Sequence, residues 1–146
     1  MAPLRLEIVT AERIVYSEDV DIVVAPGIDG ELGILPRHAP LLTELKPGEM
    51  RVVKDGEETY MAVTGGFLEV LGDKVTILAD AAEREEEIDL ERTELALQRA
   101  QERVESSQGS GDLERAMASL RRSQARMRVA TRRRRRRDIG GPQSPS

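Results

Sequence analysis

The sequence predicts a β + α chain, with an N-terminal antiparallel β-sandwich followed by a C-terminal αα-hairpin. Short segments rich in Val, Ile and Leu recur through residues 4–80, with turn signals between them and no helical pattern. Beyond them the apolar positions recur every three or four residues, which indicates helix. A Gly/Ser-rich break divides this helical part in two. We expect the sandwich at 1–82, the hairpin at 83–137 with its break at 106–112, and a disordered tail at 138–146.

The predicted strands are short and in places alternate apolar and polar residues. In the first of them Leu4, Leu6 and Ile8 share one face. We expect a small core of Val, Ile and Leu side chains together with Phe67, the only phenylalanine in the chain. The six predicted strands lie at 4–10, 20–26, 50–55, 59–65, 67–72 and 74–80.

Two helices are predicted after the sandwich. The acidic run at 83–87 suits the start of the first helix, where the helix dipole favours negative charge. Asp112 suits the N-cap of the second. Each helix carries a narrow stripe of residues, and two such stripes joined by a short loop predict an antiparallel αα-hairpin. The stripes are Leu90, Thr93, Leu97, Ala100 and Val104 on the first helix, and Leu113, Ala116, Leu120, Ser123, Met127 and Ala130 on the second.

The seam between the two predicted helices is poor in large apolar side chains. It contains Thr93, Ser123 and three alanines, so at about 25 cal/mol per Å² of buried apolar area the pairing is weak. One interpretation is that the hairpin comes apart or detaches at modest cost. The other is that it packs permanently on the sandwich.

The composition excludes several classes of site. The chain has no cysteine and one histidine, so it can form no disulfide, carries no thiol nucleophile and is poorly suited to structural zinc. No apolar run reaches the roughly 18 residues of a membrane span, and the N-terminus lacks the apolar core of a signal peptide. We therefore expect a soluble, cytosolic chain without direct membrane insertion.

His38 is the one candidate for a general base, and it lies in the segment GELGILPRHAP at 30–40. A general base needs a nucleophile or an orienting carboxylate beside it, and no residue at a fixed spacing supplies one. A phosphate-binding loop of the G-x-x-x-x-G-K-S/T kind is also lacking. A stand-alone enzyme is therefore the weakest interpretation, and we assign no catalytic residue and no metal ligand.

Charge is distributed unevenly along the chain. Residues 1–80 contain 15 acidic and 7 basic side chains, whereas residues 111–146 contain 3 acidic and 11 basic ones. Clustered arginines suit a solvated helix face, a nucleic-acid-binding helix, or a surface that docks on an acidic protein or a polyphosphate. With two tyrosines, one phenylalanine and no tryptophan, the chain offers few rings for base stacking. The arginines are Arg115, Arg122, Arg126 and Arg133, predicted on one helix face, and six in a row at 132–137.

Four segments, in this order, carry a resemblance to a known family: GELGILPRHAPLLTEL at 30–45, VTGGFLEV at 63–70, VTILADAAE at 75–83 and IDLERT at 88–93. The chain resembles the ε subunit of bacterial rotary ATP synthase over nearly its whole length. The resemblance implies a β-sandwich followed by a two-helix hairpin, in agreement with the periodicity. It also implies a non-catalytic subunit that requires no cofactor.

The resemblance implies partners for the sandwich. They are the γ subunit of the central stalk and the ring of c subunits, which would make the chain a peripheral protein at the cytoplasmic face of the bacterial membrane. The expected contact positions are Glu31, Gly33 and His38. Ile34 and Leu35 would anchor this segment on the sandwich.

For the hairpin, the resemblance implies a regulator that folds beside the sandwich or extends along γ into the catalytic head. The extended form would restrain ATP hydrolysis, with Arg115, Arg122, Arg126 and Arg133 meeting the acidic segment of the catalytic β subunits. The run at 132–137 either strengthens this grip or only ends the helix. No nucleic-acid partner is implied, although a small nucleic-acid-binding protein that uses the arginine-rich helix stays the rival hypothesis.

Some family members bind ATP in the folded hairpin through a motif of the form Ile/Leu-Asp-x-x-Arg-Ala. Here the motif reads IDLERT, so Thr93 replaces the alanine and adds bulk where the base would fit. ATP would be a regulatory ligand. The alternative is that Asp89 and Arg92 form an ordinary i,i+3 helix pair. The residues carried over to this site are Glu83, Ile88, Asp89, Arg92, Arg99, Arg122 and Arg126.

Overall fold

The computed structural model describes residues 3–139, and the side chains of residues 3–132. Ten strands are followed by a short 3₁₀ turn at Glu85–Glu87 and two helices. The strands are β1 Leu4–Val9, β2 Ile14–Val20, β3 Ile22–Gly27, β4 Gly30–Ile34, β5 Leu41–Leu45, β6 Gly48–Lys54, β7 Glu57–Val63, β8 Gly66–Leu71, β9 Lys74–Ala79 and β10 Ala82–Arg84. The helices are α1 Leu90–Ser106 and α2 Ser110–Ile139.

The strands form a sandwich whose sheet runs in the order β10-β7-β6-β3-β5-β8-β9-β1-β2, with β4 paired to β3. Neighbouring strands are antiparallel except β1 and β9, which are parallel. The predicted fold class, a β-sandwich followed by an αα-hairpin, is confirmed. The six predicted strands correspond to β1, β3, β6, β7, β8 and β9, whereas β2, β4, β5 and β10 were not predicted.

The core of the sandwich contains the alternate residues of each strand. Leu4, Leu6 and Ile8 of β1 are fully buried, as the alternation predicts. On β8 the inward residues are Leu68 and Val70, so their neighbour Phe67 points outward and is 53% exposed. The prediction that Phe67 belongs to the core is therefore wrong, because adjacent residues of a strand face opposite sides of the sheet.

The acidic run does not start a helix, contrary to the prediction. Glu83 pairs with Ala62 and Arg84 pairs with Met61, so the sheet continues past residue 82 into β10. Helix α1 begins only at Leu90, where the side chain of Asp89 accepts a hydrogen bond of 3.1 Å from the backbone N–H of Arg92. An N-cap of this kind satisfies one of the amide groups that a helix start leaves without a partner.

The second helix also begins earlier than predicted. It starts at Ser110, so Asp112 lies within the first turn and is not the N-cap. There its Oδ1 accepts a hydrogen bond of 2.5 Å from Arg115. At the other end α2 continues to Ile139, so residues 138 and 139 of the predicted tail are helical. The remainder of that tail, residues 140–146, lies outside the described residues.

Candidate functional site

The segment at 30–40 forms an edge of the sandwich and the loop that follows it. Glu31 and Gly33 lie on β4, which pairs only with β3, and both are exposed. Ile34 is fully buried, but Leu35 is 54% exposed, so of the two expected anchors only Ile34 holds the segment. Leu35 points outward because it is the first residue after the strand, on the side opposite Ile34.

The loop that contains His38 is fastened to the turn between β8 and β9. Arg37 has a positive φ of 68°, and its backbone N–H donates to the Asp73 carboxylate over 3.2 Å. The backbone N–H of His38 donates to the carbonyl of Leu35, and His38 Nδ1 lies 2.7 Å from the carbonyl oxygen of Ala39. His38 is therefore held by its own loop, and the described contacts join it to no carboxylate or nucleophile.

Next to this loop, the outer surface of β5, β8 and β9 carries apolar side chains that sequence reasoning missed. Phe67 lies directly opposite Leu78, and Leu42 lies opposite Glu69 on the same face. Large apolar side chains that are exposed close together are typical of a protein interface. We name this surface the outer patch: Leu42, Phe67, Leu71 and Leu78, which are 53–71% exposed.

The hairpin lies folded against the sandwich, on β6 and β7. Val129 and Ala130 of α2 are buried against Ile88, Tyr60 and Ala62 in a second, small apolar cluster. On α1 the buried residues are Thr93 and Ala100, and on α2 they include Ala116 and Ser123. The predicted stripes are thus mostly buried or half-buried, but Leu113 is 42% exposed and Ala130 packs in the small cluster against the sandwich. Small side chains dominate the fully buried positions of the helices.

Two arginines of α2 connect the hairpin to the sandwich. Arg126 faces Glu83 of β10, with Nε 2.6 Å from Oε1 and Nη2 donating to Oε2 over 3.1 Å. Arg132 donates from Nε to Glu49 of β6 over 2.5 Å, and its guanidinium carbon lies 4.5 Å from the centroid of the Tyr60 ring. In this conformation both guanidinium groups are therefore engaged by the sandwich.

The arginines predicted to meet a catalytic head do not form one solvent-facing surface here. Arg115 and Arg122 are exposed, and Arg115 pairs with Asp112. Arg126 instead packs against β10 through Glu83. The side chain of Arg133 lies outside the described part of the chain.

The residues predicted for a nucleotide site are only partly brought together. Glu83 and Arg126 are in contact, and Ile88 lies under α2 in the small apolar cluster. The other three arginines, Arg92, Arg99 and Arg122, are exposed. A groove of about 500 Å³ between the helices has other lining residues: Leu97, Gln124, Met127, Arg128, Thr131 and Arg132.

Asp89 and Thr93 form a small hydrogen-bonded unit at the start of α1. The Asp89 carboxylate caps the backbone N–H of Arg92, and among the described residues it forms no ion pair with the Arg92 guanidinium group. Thr93 is fully buried, and its Oγ1 donates to the carbonyl of Asp89 over 2.7 Å. The added hydroxyl of the motif is thus satisfied within the helix.

The described residues contain neither a membrane-spanning helix nor a cluster of metal ligands. Within residues 3–139, no helix is long and apolar enough to cross a membrane. Among the described side chains, those of residues 3–132, no three or more His, Asp or Glu cluster in a way that could hold a metal ion.

Both parts of the chain match known protein families. Residues 3–85 match the family described as "ATP synthase, Delta/Epsilon chain, beta-sandwich domain", and residues 86–131 match the family described as "ATP synthase, Delta/Epsilon chain, long alpha-helix domain". The chain belongs to the ATP synthase delta/epsilon chain family. The resemblance read from the four sequence segments is confirmed.

Curated relatives of this delta/epsilon chain are named ATP synthase epsilon chain. The chain is 53% identical to that of Herpetosiphon aurantiacus over 134 residues, which cover 92% of this chain and 98% of the relative. It is 56% identical to that of Desulforamulus reducens over 106 residues, covering 73% and 80% of the two chains. As a member of this family the chain is a non-catalytic subunit, which confirms the expectation that it is not an enzyme.

Two solved structures share the delta/epsilon fold. A chain in the cryo-EM structure of the Euglena gracilis mitochondrial ATP synthase (OSCP/F1/c-ring) superposes with a TM-score of 0.76 at 24% identity, covering 90% of this chain and 82% of that one. A chain of the Tetrahymena thermophila mitochondrial ATP synthase (central stalk and c-ring) gives 0.62 at 14% identity, covering 90% and 96%. At these identities the likeness concerns the fold.

Proposed function

We propose that the chain is a rotor-stalk subunit of a proton-translocating ATP synthase, and that its hairpin restrains ATP hydrolysis. The assignment to the rotor stalk is supported by the two family matches, which together cover residues 3–131. The second part rests on how the described residues dock the hairpin on the sandwich. Among residues 3–132 the docking contacts include a small apolar cluster, the ion pair of Arg126 and the contacts of Arg132.

The sandwich would bind the γ subunit and the c ring through the outer patch and the adjoining loop. Leu71 belongs to the patch, and Asp73, two residues later, binds the backbone of Arg37. The patch and the segment that contains Glu31, Gly33 and His38 therefore adjoin each other. Exposed apolar side chains together with polar and charged ones are the usual composition of a protein interface.

The folded hairpin suits a regulator because it can leave the sandwich at moderate cost. Val129, Ala130 and Ala62 are small, so the apolar area lost on release is limited. A switch of this kind requires two states within a few kcal/mol of each other, so that ligands and partners can shift the populations. In the extended state Arg115, Arg122, Arg126 and Arg133 would reach the acidic segment of the catalytic β subunits.

Truncation of the hairpin tests this regulatory role. An ATP synthase assembled with a chain that ends at Ser106 should hydrolyse ATP faster than one with the full chain. A chain that lacks only residues 140–146 is the matched control and should behave like the full chain. Equal hydrolysis by the complexes with and without α2 would contradict the inhibitory role.

We also propose that the folded hairpin binds ATP as a regulatory ligand. The support is limited to the motif residues Ile88, Asp89 and Arg92 and to the contact of Glu83 with Arg126, which places two candidate residues side by side. The exposed Arg92, like Arg99 and Arg122, would have to turn toward the triphosphate, where each charge-assisted contact is worth about 1.5–3 kcal/mol. Calorimetry on the isolated chain tests this, and no binding at millimolar ATP would remove the hypothesis.

The rival hypothesis of a nucleic-acid-binding protein is weakened by the same contacts. A helix that neutralises phosphates needs free arginines on one face, whereas Arg126 and Arg132 are paired with Glu83 and Glu49. Co-purification with γ and the catalytic head, without steep salt-dependent retention on nucleic acid, is the expected result. Retention on nucleic acid without binding to γ would favour the rival.

A further inference from the structure

Arg132 is the first residue of the arginine run, and it meets the sandwich at two strands at once. Its Nε donates to Oε2 of Glu49 on β6 over 2.5 Å. Its guanidinium carbon stands 4.5 Å from the ring centroid of Tyr60 on β7. An ion pair and a cation–π contact on one side chain hold the guanidinium group in both distance and orientation.

The sandwich side of this contact is itself ordered. The side chain of Glu49 is only 16% exposed, so its charge is partly removed from water and depends on its partner. The hydroxyl of Tyr60 donates to Glu58, and Glu58 also accepts from Arg51 over 3.2 Å. The ring that Arg132 covers is thus fixed by its own neighbours on the sheet.

We propose that Arg132 is a latch that holds the hairpin in the folded position, with Glu49 and Tyr60 as its receptor. This rests on the proposed function, in which the hairpin has a second, extended position. It gives the first arginine of the run a role in the folded state, whereas the sequence left the run either to strengthen the grip on the catalytic head or only to end the helix. Under the first of these hypotheses, the two positions of the hairpin would compete for the same guanidinium group.

The latch requires arginine in particular. A guanidinium group can stack on a ring and bind a carboxylate in one pose, whereas an ammonium group is a point charge that is more strongly hydrated. Arg132→Lys should therefore retain only part of the latch, and Arg132→Met should abolish it while keeping a long, helix-favouring side chain. Arg128, one turn earlier on α2, is exposed and has no carboxylate partner among the described residues, so Arg128→Met is the matched control.

The position of the hairpin can be measured on the full-length chain in isolation. Because the chain has no cysteine, spin labels at Glu57→Cys on the sandwich and Glu114→Cys on α2 report one distance without interference. We expect Arg132→Met to increase the population of the long distance about tenfold over the unsubstituted chain. Glu49→Gln should also increase this population. The double variant should increase it little further, because both changes remove the same contact between Arg132 and Glu49. Equal populations in Arg132→Met and Arg128→Met would overturn the latch.

Hydrolysis by the assembled ATP synthase separates the latch from the proposed function. Glu49→Gln lies on the sandwich and leaves every arginine of α2 in place, so it should favour the extended hairpin and lower hydrolysis. A released hairpin with unchanged hydrolysis supports the latch and counts against the regulatory function. A change in hydrolysis with no change in the label distance overturns the latch.

Discussion

Phe67 lies directly opposite Leu78 on the outer face of the β8–β9 ladder, and each residue is more than half exposed. A cross-strand pair of this kind is within contact distance, and here it supplies the one aromatic ring of the outer patch. Aromatic residues at the centre of an interface contribute much of its binding energy, often about 2 kcal/mol or more each. We predict that Phe67→Thr weakens binding to γ by at least about tenfold, measured by co-purification and titration.

The substitution Leu95→Thr provides the control for the outer patch. Leu95 is 52% exposed, but it lies on α1, away from the patch. The Leu95→Thr variant should bind γ with the same affinity as the unsubstituted chain. If the two variants lose affinity equally, or if Phe67→Thr loses none, the outer patch is not the rotor contact.

Gly66 leaves no room for a side chain. Its φ is 129°, and a Cβ built on it would lie 2.1 Å from the carbonyl oxygen of Leu78. Such a φ costs a residue other than glycine about 1–3 kcal/mol, and the clash with backbone adds to that. We predict that Gly66→Ala strongly destabilises the sandwich in denaturant unfolding. Gly33→Ala, at an open position with no atom within 4 Å, should unfold like the unsubstituted chain.

The sequence predicted the fold class because the two halves have different periods. Strands such as β3 and β9 contain several Val, Ile or Leu residues within six positions. Strands β4 and β5 were missed because Gly30, Gly33 and Pro40 resemble turn signals. The sequence also could not show which face of the sheet Phe67 lies on. Strand β8 is apolar on both faces, with Phe67 and Leu71 on one face and Leu68 on the other.

The candidate sites were predictable where a motif carries them and not where folding brings residues together. Asp89 stood out from the sequence, although its observed role is an N-cap. Glu83 and Arg126 were grouped by resemblance, and they do meet although they are 43 residues apart. The contacts of Arg132 with Glu49 and Tyr60 depend on where the hairpin docks, which no local pattern encodes.

Tyr16 is buried, and its pKa should therefore be higher than that of an exposed tyrosine. Burial, assisted by the nearby Glu18 carboxylate, raises the pKa of Tyr16 to about 12, from an ordinary value of 10.0. Its contribution to stability is therefore complete below pH 10 and is lost as the pH rises through 12, because the unfolded chain releases the proton first. In Tyr60→Phe, the tyrosinate absorbance of Tyr16 alone should rise with a midpoint near 12. A midpoint near 10 in the folded chain would contradict this environment.

Arg84 joins the end of β10 to an irregular point of β2. The register of β1 and β2 shifts between Ile8 and Val9, which leaves Val15 without a directly opposite residue. Arg84 supplies donors there, since its Nε and Nη2 bind the carbonyl of Val15 over 3.1 and 2.7 Å. We predict that Arg84→Met lowers the free energy of unfolding by about 1–3 kcal/mol, because a partly buried acceptor loses its donors.

An exposed arginine serves as the control for Arg84. Arg5 pairs with Asp19 over 3.4 Å, and both side chains are about half exposed. Pairs of this kind contribute about 0–1 kcal/mol, so Arg5→Met should change the free energy of unfolding less than Arg84→Met. Denaturant unfolding of both variants compares them directly, and equal losses would mean that the bonds to Val15 contribute no more than a surface pair.

Thr93 is the position at which the IDLERT segment departs from the motif that the family resemblance implies. It is fully buried in the seam, and its hydroxyl is occupied by the carbonyl of Asp89. An alanine here would remove the extra bulk and bring the segment to the Ile/Leu-Asp-x-x-Arg-Ala form that the resemblance implies for ATP binding. Since a methyl-sized change in a fitted pocket is worth about 1–3 kcal/mol, we predict that Thr93→Ala raises ATP affinity roughly tenfold or more in calorimetry.

Two further variants make the test of Thr93 specific. Thr93→Ser keeps the hydrogen bond to Asp89 and removes only the methyl group, so it should bind ATP with intermediate affinity. Thr131→Ala removes the same atoms from α2, at a position that lines the groove between the helices, and should leave ATP affinity unchanged. If Thr93→Ala binds ATP no better than the unsubstituted chain, bulk at this position is not what limits the site. If neither binds at millimolar ATP, the hairpin responds to partners and not to nucleotide.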